Sequence, residues 1–306
     1  MVDIRTQVAL APLTTFSIGG PAAYLAQAQS VEDIKEAYAF AKGKNLPVVV
    51  LGGGSNMVVP DEGLDALVLC IGNKGIARTG ETLRVAAGEV LLDAVRYAAG
   101  QGLGGLESLA GIPGTVGGAV RGNAGAFGAE VKDVLVSATV FDIYLQETKT
   151  FSNAQCEFAY RTSHFKVHPG LIVLEAEFAL TPAEPMEADK KIMHTLGERH
   201  KRHIQDIKSA GSFFKNPVVS RELQEMFQTE KGAQSKEGRV PAGWLMDKAG
   251  LRGARVGDAV ASEHHTNYFL NAGVATAKEV RELASLAKEK VFVEFGVMLE
   301  EEAVVL

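Results

Sequence analysis

Cysteine is nearly absent: the 306-residue chain has two, Cys70 and Cys156, with no paired spacing. That excludes a disulfide framework and leaves free buried thiols in a reducing cytosol as the expectation, with one lone disulfide as the alternative. No stretch approaches the ~20 apolar residues that a membrane span needs. The N-terminal MVDIRTQVALAPLTTF has no apolar core of the signal-peptide kind. Positive charge is not in excess either. A formal net charge of −6 and a pI near 5.7 favour neither a nucleic acid nor a membrane as partner. The seven histidines all lie at position 164 or beyond, and neither His264 nor His265 has metal-ligand company, so no metal is expected.

What remains is a globular composition, 46% hydrophobic and 22% charged, in a chain long enough for two or three domains. Glycine is the exception. There are 33, and ten of the 27 residues from Gly102 to Gly128 are glycine. Glycine carries a backbone-entropy cost, so such crowding suits sharp turns or close approach to a ligand.

Periodicity predicts an α+β protein with an α/β opening. Thr14 to Tyr24 reads as strand, Gly19-Gly20 turn and strand. Ser30 and Asp33 look like a capping box for a helix carrying Ile34, Ala37, Tyr38 and Ala41. Pro47 to Leu51 is a buried strand that runs into Gly52-Gly53-Gly54-Ser55-Asn56. Strands are expected at 67–71, 83–87, 134–143 and 172–180, and a helix at 90–99. A charged helical run is expected from Glu184 to His203. Thr276 and Glu279 form a second capping box, and Val293 to Leu299 reads as a final strand.

A strand ending in GGGSN resembles a Rossmann fingerprint, but that motif needs a helix next, to hold a pyrophosphate at its N-terminus. Met57-Val58-Val59-Pro60 reads instead as strand and turn. Phosphates would be held by consecutive backbone N–H groups, with Ser55 and Asn56 adding side-chain donors. The second loop, GIPGTVGGAVRGNAGAFGAE from Gly111 to Glu130, offers N–H groups at Gly114, Thr115, Gly117 and Gly118, and Asn123 for a ring edge. Tight packing alone is the competing explanation for either loop, and less so for two together.

These loops, with GLESLAGIPGTVGGAVRGNAGAFGAEV, FAYRTSHFK, AGSFFKNP, PAGWLMDKAGL and FGVMLEEE, resemble the UDP-N-acetylenolpyruvoylglucosamine reductase family of cell-wall synthesis, in the family's order and over nearly the whole chain. The shorter form is implied, because no tyrosine lies between Phe178 and Arg199. The resemblance implies non-covalent FAD held by Gly52, Gly53, Gly54, Ser55, Asn56, Gly111, Pro113, Gly114, Thr115, Gly117, Gly118 and Asn123. It implies NADPH as co-substrate and a UDP-sugar enolpyruvyl ether as the group reduced, by a monomeric cytoplasmic enzyme. Its fold would be a two-part FAD-binding region of the PCMH/vanillyl-alcohol-oxidase type plus a C-terminal substrate-binding α+β domain. The expected pieces are 1–70, 71–198 joined by 293–306, and a substrate domain at 199–292.

Three residues match the family's catalytic set. Arg161 suits a carboxylate because its planar fork binds both oxygens and stays charged. Ser212 matches the proton donor; a hydroxyl is a weak acid and needs a neighbour to ease its proton away. Glu302 matches the C-terminal glutamate, although the family's proline and arginine there are missing and Glu300 competes. Tyr160, Lys215, Asn216 and His265 are expected at the substrate. The rival readings are another FAD oxidoreductase of this fold, an oxidase passing electrons to oxygen, and a flavin-binding module without catalysis.

Overall fold

The computed structural model describes residues 1–201 and 207–306, which group into two compact units. The first comprises Met1–Val8, Pro21–Gly54 and Leu64–Lys201. The second comprises Ala9–Gly20, Ser55–Gly63 and the described part of 202–306. Two short early segments and the C-terminal 293–306 thus belong to the second unit.

In the first unit, β1 (Ile4–Ala9), β2 (Pro21–Ala28), β3 (Val48–Leu51) and β4 (Leu64–Ile71) form a sheet in the order β1-β2-β4-β3, with β2 and β3 parallel to β4. Helix α1 (Val31–Gly43) starts on the expected capping box. The Asp33 amide donates to Ser30 Oγ at 3.2 Å, and the Ser30 amide donates to the Asp33 carboxylate at 3.0 Å. Its buried face is Ile34, Ala37 and Ala41, at helical spacing.

A second sheet joins β5 (Ile76–Thr79), β6 (Thr82–Ala86), β7 (Leu135–Asp142), β8 (Glu147–Ser152) and β9 (Leu171–Ala179) in the order β8-β7-β9-β6-β5, antiparallel throughout. Its inward side chains, including Leu83, Val85, Val140 and Phe178, share a core with Leu91, Ala94, Val95 and Ala98 of α2 (Leu91–Gly100). The glycine-dense segment contains a helix that periodicity did not predict, α3 (Val116–Gly122), and α4 (His164–Val167) follows the Arg161 turn. The charged run forms α5 (Pro185–Lys201); its expected end at His203 lies outside the described residues. Cys70 and Cys156 are free, and burial pushes both thiols up to about 11, so they are neutral.

The second unit has α6 (Arg221–Lys231), α7 (Ala242–Lys248), α8 (Ala277–Phe295) and a small sheet of β10 (Ser209–Ser212), β11 (Arg255–Val256), β12 (Ala259–Ala261) and β13 (Tyr268–Asn271), ordered β10-β13-β12-β11. Phe16 and Ile18 are buried in its core with Phe213, Phe214 and Phe269, so the alternation there anchors an irregular segment rather than forming the expected strand. The expected strand at Val293 is likewise corrected. Val293–Phe295 is the last turn of α8, ended by Gly296 in the left-handed conformation, φ 66°. The short C-terminal strand, Val304–Val305, pairs parallel with Met57–Val58. Among the described residues no helix is long and apolar enough to cross a membrane.

Helix α8 is capped from far along the chain. Its first two amides, of Ala277 and Lys278, donate to the Asp61 carboxylate at 2.7 and 3.1 Å, and the Glu279 amide donates to Thr276 Oγ1 at 3.1 Å. A carboxylate at a helix N-terminus satisfies orphan donors and opposes the helix dipole. Asp61→Ala is therefore expected to destabilise the protein by about 1 kcal/mol, read as a lower urea midpoint with unchanged slope; an unchanged midpoint would show that water replaces the cap at no cost.

Candidate active site

Strand β3 ends at the buried Leu51, and the chain then turns through Gly52, Gly53 and Gly54, the last with φ 61°. The second glycine loop lies directly against this turn. A Cβ on Gly53 would fall 2.6 Å from Gly114 Cα, and one on Gly52 would fall 2.9 Å from Thr115 Oγ1. Real Cβ atoms do not come that close to backbone, so the two loops touch only because they lack side chains.

The second loop is sewn to residues 87–91. The Leu91 amide donates to the Gly114 carbonyl at 3.0 Å, Val116 to Glu89 at 2.9 Å and Gly117 to Ala87 at 2.9 Å. Thr115 then caps α3, accepting from the Gly118 amide at 3.4 Å. Two of the expected phosphate donors, Gly117 and Gly118, are therefore already bonded inside the fold. Gly117 instead permits close packing on Ala87, whose Cβ a methyl would meet at 2.8 Å. No hydrogen bond within the described residues takes up the amides of Gly52, Gly53, Gly54, Gly114 or Thr115. Four of the five belong to glycines, so a diphosphate, and with it FAD, suits them as a ligand. Gly111, φ 75°, has the side chain of the buried Arg199 where its own Cβ would stand, and Pro113 lies exposed at the loop's tip.

Asn123 ends α3 in the left-handed conformation, φ 43°, and is fully buried. Its amide nitrogen donates to Glu130 Oε2 at 3.1 Å and to the Ala159 carbonyl at 3.0 Å, and its oxygen accepts from the Lys132 amide at 3.0 Å. Both amide hydrogens are thereby committed, which makes Asn123 a strut here and not the ring-edge donor expected. Beyond it, Gly125–Ala126 and Ala129–Glu130 form a tight hairpin whose turn residues, Phe127 and Gly128, both have positive φ.

Arg161 stands at the tip of another tight turn. Ala159 and Thr162 exchange backbone bonds at 3.2 and 3.1 Å, and Arg161 takes φ 57°. Its Nη2 donates to the Gly125 carbonyl at 2.7 Å, and its guanidinium lies 5.0 Å from the Tyr160 ring centre. Nearby, the half-buried Arg121 has no ion pair among the described residues, and burial lowers its pKa. An uncompensated cation that close to the glycine loops invites an anion. Nothing in the sequence distinguished it from a surface arginine.

In the second unit, β10 pairs with β13 through a register shift between Ser209 and Ser212, and Gly211 sits in the shift with φ 79°. Such a bulge re-aims the side chain that follows it, here Ser212. Among the described residues, none hydrogen-bonds the Ser212 hydroxyl. The next residues are clamped by Asn267, whose side chain accepts from the Phe214 amide at 2.9 Å and donates to the Phe214 carbonyl at 2.8 Å. Asn267 carried no signal of its own in the sequence.

The C-terminal segment runs antiparallel beside this strand. The Glu302 amide donates to the Phe213 carbonyl at 2.8 Å, and the Lys215 amide donates to the Glu300 carbonyl at 2.9 Å. The structure thus sets Glu302 opposite Phe213, the residue that follows Ser212. Glu300 is different: its side chain is 73% exposed and is paired with Lys215. Glu301 pairs with Lys288 at 2.6 Å. Asn56 holds the Glu302 segment, donating to the Glu302 carbonyl at 3.2 Å and accepting from the Val304 amide at 3.0 Å. Asn216 accepts from the Ala242 amide at the start of α7, at 3.0 Å, and His265 packs edge-on to Tyr268 at 4.9 Å. Among the described residues no group of three or more His, Cys, Asp or Glu could hold a metal.

Two family models match the chain: an FAD-binding domain at residues 22–143, and the C-terminal domain of UDP-N-acetylenolpyruvoylglucosamine reductase at 202–306. The reductase of Solibacter usitatus is 35% identical over 299 residues, which span 98% of this chain and 95% of that protein. The Pseudomonas putida reductase is 35% identical over 334 aligned positions, 98% of each chain. The crystal structure of UDP-N-acetylenolpyruvylglucosamine reductase from Thermus caldophilus superposes with a TM-score of 0.78 at 34% identity, covering 100% of this chain and 98% of that one. The expected fold class, an α+β FAD-binding region followed by a C-terminal domain, is the one found.

Proposed function

The chain belongs to the UDP-N-acetylenolpyruvoylglucosamine reductase family of FAD oxidoreductases, and from that premise we propose that it reduces the enolpyruvyl ether of a UDP-N-acetylglucosamine to the lactyl ether with NADPH as electron source. When bound, FAD would supply hydride chemistry, taking electrons from NADPH and passing them to the enolpyruvyl group. Gly52, Gly53, Gly54, Gly114 and Thr115 hold its diphosphate through backbone amides, and Arg121 compensates charge nearby.

Hydride addition conjugate to a carboxylate builds negative charge on that carboxylate. Arg161 stabilises it with a planar, permanently charged fork. C2 then needs a proton from a fixed direction, and Ser212 supplies it through its hydroxyl. Glu302, whose amide is held by the carbonyl of Phe213, the residue after Ser212, eases that transfer; Glu300 does not, because its carboxylate is occupied by Lys215. The bridge between Phe214 and Glu301, which sets Glu302 opposite the residue after Ser212, is the observation that supports this assignment most directly. Tyr160, Asn216 and His265 are assigned to substrate binding in this reading, and Lys215 adds a cation there while keeping Glu300 paired. The FAD-holding part corresponds to the first unit and the substrate-holding part to the second. Both nucleotide substrates are charged and do not cross a bilayer unaided, in keeping with a cytoplasmic enzyme. A monomer suffices for this chemistry, since the assigned residues all lie in one chain.

The test is an anaerobic absorbance experiment on the purified protein. The flavin band should bleach on adding NADPH and return on adding the enolpyruvyl sugar nucleotide, with the lactyl product formed in equal amount. A flavin that oxygen reoxidises at once, while the sugar nucleotide leaves it reduced, would make the protein an oxidase instead.

A further inference from the structure

The hairpin that follows the second glycine loop is wired to the turn that carries Arg161. Arg161 Nη2 donates to the Gly125 carbonyl at 2.7 Å, and Nη1 lies 3.6 Å from Glu130 Oε1, with only 20% and 15% of the two side chains exposed. The Glu130 carboxylate is itself held on its other oxygen, which accepts from Asn123 Nδ2 at 3.1 Å and lies 2.9 Å from Lys132 Nζ. The fully buried Asn123 closes the circuit by donating to Ala159, the first residue of the Arg161 turn, at 3.0 Å. Glu130 is thus not a surface partner that drifts with a long side chain. It is fixed by a buried amide and a lysine before it meets the arginine.

An arginine on a two-residue turn has many rotamers, and binding both oxygens of a carboxylate requires one plane. Two of its nitrogens are already directed by the hairpin. We propose that Glu130 is a positioning residue for Arg161: its anchored carboxylate sets the plane of the guanidinium, and so sets where the carboxylate of the reacting group docks. This rests on the reaction proposed above, in which Arg161 meets that carboxylate. Glu130 also places a negative charge near the docking point, which by itself would weaken carboxylate binding. The gain must come from orientation, and a small error in position costs about 100-fold in rate.

Glu130→Gln keeps the size of the side chain and removes its charge. With FAD bound, reoxidation by the enolpyruvyl sugar nucleotide should slow about 10- to 100-fold, whereas FAD affinity, melting temperature and the rate of reduction by NADPH stay within about twofold of wild type or unchanged. A purely structural role would lower FAD affinity or melting temperature instead. If Glu130→Gln does not fold, Glu130→Asp retains the charge but shortens the reach, and should show the same selective loss. The double variant Glu130→Gln/Arg161→Gln should be no slower than Arg161→Gln alone, because the first change acts through the second residue. Wild-type reoxidation in Glu130→Gln alongside a crippled Arg161→Gln would overturn the proposal while leaving the reaction assignment intact. A fully active Arg161→Gln would overturn the reaction assignment, and this proposal with it.

Discussion

Ser212→Ala should yield a protein that binds FAD and is bleached by NADPH at the wild-type rate, yet returns electrons to the enolpyruvyl substrate about 1000-fold more slowly. The argument is geometric before it is chemical. Gly211 at φ 79° and the register shift in the β10–β13 pair turn the chain so that the Ser212 hydroxyl is not bonded to another described residue. Asn267 grips Phe214 on both its amide and its carbonyl, and Phe213 stacks on Phe269 with ring centres 4.4 Å apart. The hydroxyl therefore projects from a rigid base, which alanine leaves undisturbed, so the loss should appear in one half-reaction and not in stability. Stopped-flow absorbance separates the two half-reactions. Glu302→Gln should follow Ser212→Ala in direction, and Glu300→Gln should not, because Lys215 already neutralises Glu300 at the surface. Reoxidation at the wild-type rate in Ser212→Ala would remove the hydroxyl from the reaction.

Gly53→Ala should weaken FAD binding by about 100-fold, equivalent to ~2.7 kcal/mol. The added methyl would stand 2.6 Å from Gly114 Cα, 3.2 Å from Gly114 C and 3.3 Å from the Thr115 nitrogen. All three are backbone atoms, so none can rotate away, and the loops must separate. Overpacking of this kind typically costs about 1–3 kcal/mol. Separation would also splay the five open amides, whose value to a diphosphate lies in converging on it. Gly53 is not among the glycines with positive φ, so alanine's own backbone preference is not the cause. Gly43→Ala provides the control, since a Cβ there meets nothing within 4 Å. Fluorescence titration of the apoproteins with FAD measures both variants. A Gly53→Ala protein that purifies with a full complement of flavin would show that the contact between the loops is dispensable.

The two capping boxes were readable in the sequence because capping is local: Ser30 with Asp33, and Thr276 with Glu279, lie three residues apart and bond as their spacing requires. Helix α3 was not readable. Three of its seven residues are glycine, each costing about 1 kcal/mol of helix propensity relative to alanine. It forms because Thr115 caps it and because Glu89 and Ala87, 27 and 30 residues before their partners Val116 and Gly117, accept its first amides. The end of α8 was misread for a related reason. Val293, Phe295, Val297 and Leu299 alternate as a strand would, but the helix propagates through Phe295 from a doubly capped N-terminus until Gly296 stops it.

By itself the sequence determined which chemistry the protein carries. Glycine crowding, an arginine in Tyr160-Arg161-Thr162, a serine after Gly211 and glutamates near the C-terminus are residue types, and residue types are set by the order of letters. Only the tertiary structure decided which of those groups remain open for use. It committed Gly117 and Asn123 to internal bonds, paired Glu300 with Lys215, and set Glu302 opposite the residue after Ser212. The reason is that a hydrogen-bonding group serves one set of partners at a time, and the competing partner comes from whichever distant segment the fold brings against it.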